Sequence, residues 1–267
     1  MTTDSVLIAR QGPVAVVTLN ERESRNALSG SMITGLCSFL ASANDDPTLS
    51  CIVLTGAGTG FCSGGNVKDM RARSDPLFCG SPHEMQEAYR AGVQKLPSLF
   101  HALDVPCIAA VNGAAIGAGC DLACMCDIRI ASTAATFAES FLRVGLVSGD
   151  GGAWLLPRIV GLPKALEMAL TCCVLDAEQA RECGLVTHVV EPGTLLEAAH
   201  RMATTIAELP PRSIRLNKRL IRQSLDMTLT ASLELAAAFQ AIVQHTTDQQ
   251  EAVRALLEKR SSVFVGR

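Results

Sequence analysis

The segment at residues 112–121, NGAAIGAGCD, limits what the chain can fold into more than any other stretch. It follows an apolar, strand-like run (Cys107–Val111) and leads into a helix-like run (Ala118–Met125). Glycine permits positive φ and lets a ligand or another chain approach the backbone closely. A helix start also presents unpaired N–H groups that favour negative charge. The segment therefore predicts either a tightly packed strand-to-helix turn or an anion-binding turn with the Asp121 carboxylate beside it.

The composition fits a globular enzyme-sized chain and argues against two classes of partner. The chain has 267 residues, of which 48% are hydrophobic and 18% charged, enough for one large domain or one domain with an appendage. The net charge is −3, with one Trp, one Tyr and no basic run, which argues against nucleic-acid binding. No apolar stretch reaches the ~18 residues that span a bilayer, so we predict no membrane partner.

The cysteines favour a reducing compartment. There are eleven, an odd number, and several lie in apolar runs where a reduced thiol is a small buried hydrophobe. The first residues do not resemble a signal peptide, so we predict a cytoplasmic protein. Cys120, Cys124 and Cys126 could suggest a metal, but they lack a second paired cluster or a nearby His, and we predict no metal site.

Hydrophobic patterns predict an α/β fold with largely parallel strands. Apolar, strand-like runs at Val14–Leu19, 51–55, Cys107–Val111 and 127–131 alternate with segments of helical spacing. From residue 195 onward the pattern is helical, and residues 229–243 are apolar over more than one stripe. Such a helix needs a partner surface. Either another subunit or the chain's own core could supply it.

Two further glycine-rich segments follow predicted strands. Residues 60–70 read GFCSGGNVKDM, and residues 137–157, FAESFLRVGLVSGDGGAWLLP, carry Glu139 and Asp150. Three such turns can aim backbone N–H groups at one place, which suits a carbonyl that becomes an oxyanion; one positioned donor there is worth on the order of 3 kcal/mol. A dinucleotide site is disfavoured because the third glycine of GxGxxG would be Phe61. The chain also lacks the phosphate-loop and GxSxG motifs.

Four segments together resemble one known family. They are 19–29 (LNERESRNALS), 61–70 (FCSGGNVKDM), 108–131 (IAAVNGAAIGAGCDLACMCDIRIA) and 145–161 (GLVSGDGGAWLLPRIVG). In this order and at this spacing they are similar to motifs of the crotonase superfamily, the enoyl-CoA hydratase/isomerase family. The resemblance runs from about residue 5 to 265. Its motifs are specific for the fold and for acyl-CoA thioesters, and much less specific for the reaction.

The resemblance implies an architecture and an assembly. It implies an α/β, crotonase-like spiral of repeated ββα units over residues 1–200, which holds the acyl-CoA site. Residues 201–267 would form a C-terminal helical region that builds a homotrimer, often paired into a homohexamer. No separate cofactor is implied, because coenzyme A is part of the substrate.

The resemblance also implies a site. The thioester carbonyl would lie between the backbone N–H groups of Gly65 and Ala118, whose small side chains allow close approach. Arg25 would lie near a CoA phosphate, although a solvated arginine is an equal interpretation. The other implied contacts to CoA or the acyl group are Ala27, Leu28, Ser63, Gly64, Asn66, Val67, Gly117 and Phe141.

The catalytic positions depart from the family pattern. Hydratases of this family use two glutamates, and those positions fall on Asp121 and on Phe141, which cannot transfer a proton. Asp150 or Glu139 could supply the second carboxylate from another direction. Asp150 could instead be the N-cap of the helix that follows it.

These observations predict an enoyl-CoA hydratase that adds water to a 2-enoyl-CoA through a thioester enolate. Asp121 would handle the water or proton, with Asp150 or Glu139 as second group. The alternative is double-bond isomerisation, for which the family usually places the proton carrier where Phe141 stands. Hydrolysis or decarboxylation of a CoA ester, and a CoA-ester-binding member with lost catalysis, also stay open.

Overall fold

A computed structural model describes residues 4–266 and has an α/β fold. Ten strands lie in this range: β1 (Val6–Gln11), β2 (Val14–Leu19), β3 (Cys51–Gly56), β4 (Gly60–Cys62), β5 (Cys107–Val111), β6 (Ala114–Ile116), β7 (Ile128–Ser132), β8 (Thr136–Ala138), β9 (Leu175–Asp176) and β10 (His188–Val190). The α-helices of the same range are α1 (Gly30–Ala43), α2 (Val67–Ala72), α3 (Pro82–Ala91), α4 (Lys95–Ala102), α5 (Ala118–Met125), α6 (Gly152–Val160), α7 (Leu162–Thr171), α8 (Ala177–Glu182), α9 (Leu195–Ala207), α10 (Pro211–Ser224), α11 (Leu229–Gln244) and α12 (Thr247–Glu258).

The larger sheet has six strands in the order β1-β2-β3-β5-β7-β10. All neighbours in it run parallel except β1 and β2. Its central strands are buried on both faces, and β5 has no exposed residue. Near-continuous apolar runs are expected of such strands because helices cover both faces of a parallel sheet. The largely parallel pairing predicted from the sequence is therefore confirmed.

A second, four-stranded sheet has the order β4-β6-β8-β9. Its first three strands run parallel and β9 is antiparallel to β8. Each of the three follows a strand of the larger sheet and precedes a helix, which gives the successions β3-β4-α2, β5-β6-α5 and β7-β8-α6. Because the three short strands are parallel neighbours, the segments that leave them emerge at the same edge. This brings the three glycine-rich segments together.

Helices cover both faces of the larger sheet. The side chains of one face join the main core with α1, α4 and α5. On the other face, Leu195, Ala199 and Ala203 of α9 pack on Val53 and Ile108. Helix α9 thus runs across the predicted domain boundary at residue 200 and belongs to the core around the sheet.

Helix α10 attaches to the rest of the chain through hydrogen bonds and ion pairs of its basic side chains. Arg215 of α10 donates to the carbonyls of Asn44, Asp46 and Leu49 at 2.6–2.8 Å. No residue of α11, which is described throughout, is buried. Leu229 and Leu233 are among its exposed apolar side chains. The apolar stripes predicted for this segment are thus only partly covered in the single chain, where Leu235, Phe239 and Val243 are half-buried.

Over residues 4–266, no helix is both long and apolar enough to cross a lipid bilayer. In the same range, no three His, Cys, Asp or Glu side chains are placed to share a metal ion. The thiols of Cys107 and Cys126 instead contact each other, with their sulfurs 3.5 Å apart in the core.

Candidate active site

The three glycine-rich segments border one cavity of about 390 Å³, here called the active-site cavity. Its walls are mainly apolar, with a few polar groups, as is typical of sites for small ligands. Nine of the predicted site residues line it: Leu28, Ser63, Gly65, Asn66, Val67, Gly117, Ala118, Phe141 and Asp150. The others, Arg25, Ala27, Gly64, Asp121 and Glu139, are not on its wall.

Two backbone amides stand close together on the cavity wall, at Gly65 and Ala118. Ala118 is the first residue of α5, so its N–H has no partner within the helix. Gly64 has φ +79° and packs directly on the neighbouring turn. A Cβ at Gly64 would lie 2.4 Å from the Ile116 carbonyl oxygen and 3.2 Å from the Ala118 nitrogen. Only glycine fits there, and the contact fixes one amide relative to the other.

The segment before α1 supports this pair of amides. The Leu28 N–H donates to the Gly64 carbonyl at 2.9 Å, and the Ser63 N–H donates to the Arg25 carbonyl at 3.0 Å. Asn26 is fully buried at φ +57°, and its Nδ2 donates to the Gly60 carbonyl at 2.9 Å. Arg25 therefore contributes its backbone here, while its side chain is exposed.

Asp121, Glu139 and Asp150 form a buried carboxyl cluster, in which each residue is at most 3% exposed. One oxygen of each carboxyl lacks a donor among the described residues. The Asp121 carboxyl lies within hydrogen-bonding reach of both others. Only Asp150 lines the active-site cavity. Asp150 is thus the one residue of the cluster on the cavity wall, and Asp121 and Glu139 lie behind it.

The carboxyls of this cluster keep their protons at pH values at which exposed carboxylic acids are ionised. Burial raises the pKa of Glu139 to about 7. Burial, followed by the charge of a neighbouring carboxyl, raises the pKa of both Asp121 and Asp150 well above the usual range. Adjacent buried carboxylates do not all ionise together, so the protons belong to the cluster as a whole. Raised pKa values of this kind are common at catalytic sites.

The loop that carries Asp150 is fixed by its neighbours. The Gly149 carbonyl accepts a hydrogen bond from Gln94 Nε2 at 2.8 Å. The Asp121 carboxylate accepts one from Ser148 Oγ at 3.1 Å. A Cβ at Gly152 would meet the Asp121 Oδ1 at 1.8 Å, so only glycine fits there.

The N-cap alternative for Asp150 is wrong. The N-cap of α6 is Gly151, at φ +113°, and the side chain that caps its first turn is Ser148, whose Oγ accepts a hydrogen bond from the Ala153 N–H at 3.1 Å. The Asp150 side chain lies instead with the carboxyl cluster and on the cavity wall.

Phe141 occupies the position where the resemblance implies a second glutamate. It opens a 3₁₀ turn, Phe141–Val144, and lines the cavity. Its ring lies over Gly117, 3.8 Å from where a Cβ of that residue would stand. This part of the wall is therefore apolar and carries no proton-transfer group.

Sequence reasoning missed Tyr89, Gln94 and Ser148. Tyr89 lines the cavity, and its ring is so close to Gly149 that a Cβ there would come within 2.9 Å. Burial, with the charges of Asp150 and Asp75, raises the pKa of Tyr89. No motif in helix α3 marks Tyr89. The one sequence feature that singles it out is that it is the only tyrosine of the chain.

We expect Glu139→Gln to change how stability depends on pH. Folded Glu139 keeps its proton up to about pH 7, whereas in the unfolded chain it ionises near 4.5. Between these values the unfolded state binds fewer protons, so wild-type stability falls as pH rises, by about 3 kcal/mol for this one group. Urea unfolding should show the variant gaining about 2 kcal/mol relative to wild type between pH 5 and pH 8.

The matched control is the exposed Glu87→Gln, which should shift stability equally at both pH values. If Glu139→Gln also differs from wild type by the same amount at pH 5 and pH 8, the raised pKa of Glu139 is refuted.

Comparison with known proteins identifies the family of the chain. The family model for enoyl-CoA hydratase/isomerase matches residues 9–267. The chain is 36% identical to 1,2-epoxyphenylacetyl-CoA isomerase of Escherichia coli, over 95% of each chain. It is 31% identical to crotonyl-CoA hydratase of Syntrophomonas wolfei, over the full length of both. The crystal structure of an enoyl-CoA hydratase from Bacillus anthracis superposes with a TM-score of 0.91 at 29% identity, covering 98% of this chain and all of the other. The chain therefore belongs to the enoyl-CoA hydratase/isomerase family of the crotonase superfamily.

Proposed function

We propose that this protein is an enoyl-CoA isomerase that moves a double bond of an acyl-CoA thioester through a thioester enolate. The carrying observation is that Asp150 alone, of the three clustered carboxyls, lines the active-site cavity. One carboxyl is what a proton shuttle between two carbons requires. Hydratases of the family use two, whereas one residue of the cluster lines the cavity here. Phe141 stands at a position that both reactions of the family use, so it favours neither.

The two amides supply the electrostatic part of the reaction. The thioester oxygen would accept hydrogen bonds from the N–H groups of Gly65 and Ala118. Negative charge gathers on that oxygen as the enolate forms, so the amides bind the transition state more strongly than the substrate. The helix dipole of α5 adds to this at its N-terminus.

Asp150 carries the proton. Its carboxylate removes a proton from C2 of a 3-enoyl-CoA, and the C–H electron pair moves into the enolate. The resulting acid returns the proton to C4, so that the double bond ends between C2 and C3. A carboxylate whose pKa burial has raised is a stronger base than an ordinary aspartate. Asp121 and Glu139 lie behind the cavity wall, where they set the charge and position of Asp150.

Hydration of a 2-enoyl-CoA is the second candidate function. It is favoured by the contact between Asp121 and Asp150, because two coupled carboxyls could pass a proton between them while Asp150 holds the water. In this second mechanism the water molecule contacts Asp150, and Asp121 exchanges the water's proton through Asp150.

Product mass distinguishes the two functions. Purified protein would be incubated separately with 3-enoyl- and 2-enoyl-CoA thioesters of several chain lengths, followed by mass spectrometry. Isomerisation predicts conversion of the 3-enoyl thioester without a change in mass, together with a moved double bond. A gain of one water from the 2-enoyl thioester alone would overturn isomerisation in favour of hydration. Tight binding with no turnover would favour a CoA-ester-binding role.

The rate should rise with pH. Asp150 acts as a base, so only its ionised form is active, and its pKa is raised well above the usual range. We expect kcat/KM for a 3-enoyl-CoA to increase from pH 6 upward, with an inflection far above the value of an ordinary aspartate. A rate that is constant from pH 6 to pH 9 would contradict a raised-pKa base.

We also propose that the protein forms a homotrimer or homohexamer in the cytoplasm, without a separate cofactor. The apolar side chains that α11 exposes support the assembly, and the free cysteines support the compartment. The C-terminal helical region would carry the contacts between subunits. Light scattering coupled to gel filtration would test this: a monomer would refute it.

A further inference from the structure

A second cavity of about 510 Å³, here called the rear cavity, lies on the other side of the loop that carries Asp150. Successive residues face the two cavities: Asp150 lines the active-site cavity and Gly151 lines the rear cavity. Helices α4, α5, α6 and α10 contribute its walls. The reaction proposed above uses none of its side chains, apart from those that fix the loop.

A largely buried arginine that forms no ion pair with any described carboxylate lines the rear cavity. Arg129 is 7% exposed; its Nε donates to the Leu185 carbonyl at 2.5 Å and its Nη1 to the Cys126 carbonyl at 2.7 Å. Within residues 4–266, its Nη2 has no hydrogen-bond partner, and no carboxylate lies within 4.0 Å of the guanidinium. Nη2 does not belong to the buried polar atoms that lack a partner. It is therefore reachable from the cavity, where an anion can pair with it.

A second guanidinium lies at the rim. Arg158 stacks on Trp154, 3.9 Å from the ring centroid, and His101 meets the same ring edge-on at 5.5 Å. Its partner, Asp226, is 3.7 Å away, which is an ion pair too long for a hydrogen bond. This guanidinium too can donate hydrogen bonds to an anionic group.

The one carboxylate that lines the rear cavity is already occupied. Asp127 forms ion pairs with Lys218 at 2.6 Å and with Arg222 at 2.8 Å. It also accepts a hydrogen bond from the Cys107 N–H at 2.8 Å. It neutralises those groups, so among the described residues Arg129 has no carboxylate partner and Arg158 has only the long ion pair with Asp226.

We propose that the rear cavity binds a small amphiphilic carboxylate. Its carboxylate would take the free Nη2 of Arg129, with Arg158 at the rim. Its apolar part would cover Met125 and Leu155 in the wall. Planar guanidinium groups suit carboxylates because they present donors in a fixed fork. The site is separate from the active-site cavity and does not depend on which acyl-CoA reaction occurs there.

The chain contains its own reporter for this site, because Trp154 is its only tryptophan. Octanoate would be titrated into the full-length protein while Trp154 emission is recorded, with 1-octanol as the uncharged probe of the same chain length. We expect a saturable change with octanoate that survives saturating coenzyme A, and at least tenfold weaker binding of octanol. No response to octanoate, or equal responses to both probes, would overturn the proposal.

Variants of the two arginines test whether octanoate binds between them. Arg129→Gln should weaken octanoate binding at least tenfold, and the exposed Arg181→Gln, the matched control, should leave it unchanged. Circular dichroism would verify folding. If Arg129→Gln does not fold, the rim variant Arg158→Gln is tested in its place. A loss of octanoate affinity of at least threefold in that variant supports the site. Unchanged binding in a folded Arg129→Gln or, failing that, in Arg158→Gln refutes it.

Discussion

Asp150→Asn is expected to lower kcat at least 100-fold, with binding of the acyl-CoA thioester changed less than about threefold. The amide fills the same space on the cavity wall but cannot take a proton from carbon, and general base catalysis contributes roughly 10²–10⁴-fold. Steady-state kinetics with the best 3-enoyl-CoA of the panel would give kcat, and calorimetry with a saturated acyl-CoA would give Kd.

Two comparisons make this result specific. The exposed Asp45→Asn should keep the wild-type rate. Asp121→Asn should retain more activity than Asp150→Asn, because Asp121 is buried behind the cavity wall and acts through Asp150. If Asp150→Asn keeps more than a tenth of wild-type kcat, or if Asp121→Asn is the more damaging variant, Asp150 is not the proton carrier.

Gly64→Ala is expected to lower kcat by about 10²–10³-fold, the usual cost of losing a donor to the oxyanion. The new methyl would stand 2.4 Å from the Ile116 carbonyl oxygen and 3.2 Å from the Ala118 nitrogen. The turn must therefore move away from α5, which separates the amides of Gly65 and Ala118. The same kinetic assay measures the effect.

The control for Gly64→Ala is Gly12→Ala. Gly12 also has positive φ, +60°, but a Cβ there would meet nothing within 4 Å. Both variants thus carry backbone strain, and only one displaces the amides. Gly12→Ala should lose some stability and keep its kcat. A folded Gly64→Ala protein with kcat within threefold of wild type would show that the two amides do not stabilise the reacting oxygen.

The elements with continuous apolar runs were predictable from the sequence. The predicted strands at Val14–Leu19 and Cys107–Val111, and the predicted helix at Ala118–Met125, match the structure residue for residue. Burial on both faces leaves little freedom for polar residues in these strands. Strand β1 was missed because it lies at the edge of the sheet and is mostly exposed.

The second sheet was not predictable in the same way. Its strands β4, β6 and β8 have three residues each, too few to show a period of two. The helical segment before β5 is interrupted at residues 92–94, between α3 and α4. Pro97 itself is the third residue of α4, where the missing N–H needs no partner within the helix.

The sequence predicted which residues gather at the site better than it predicted their positions relative to the cavity. The glycine turns meet because parallel strands place them at one edge. Which of Asp121, Glu139 and Asp150 reaches the cavity depends on the loop of Gly149–Gly152 and on its contact with Gln94, a residue of a separate segment. Tertiary contacts of this kind leave no pattern along the chain.

The proposed mechanism is tested most directly by a crystal structure of the protein with a 3-ketoacyl-CoA, a thioester that forms a stable enolate. The mechanism requires the thioester oxygen to lie about 2.7–3.1 Å from the N–H nitrogens of both Gly65 and Ala118. It also predicts an Asp150 carboxyl oxygen in contact with the acyl chain at C2. A thioester bound in the cavity with its oxygen away from these amides, or with C2 out of reach of Asp150, would contradict it.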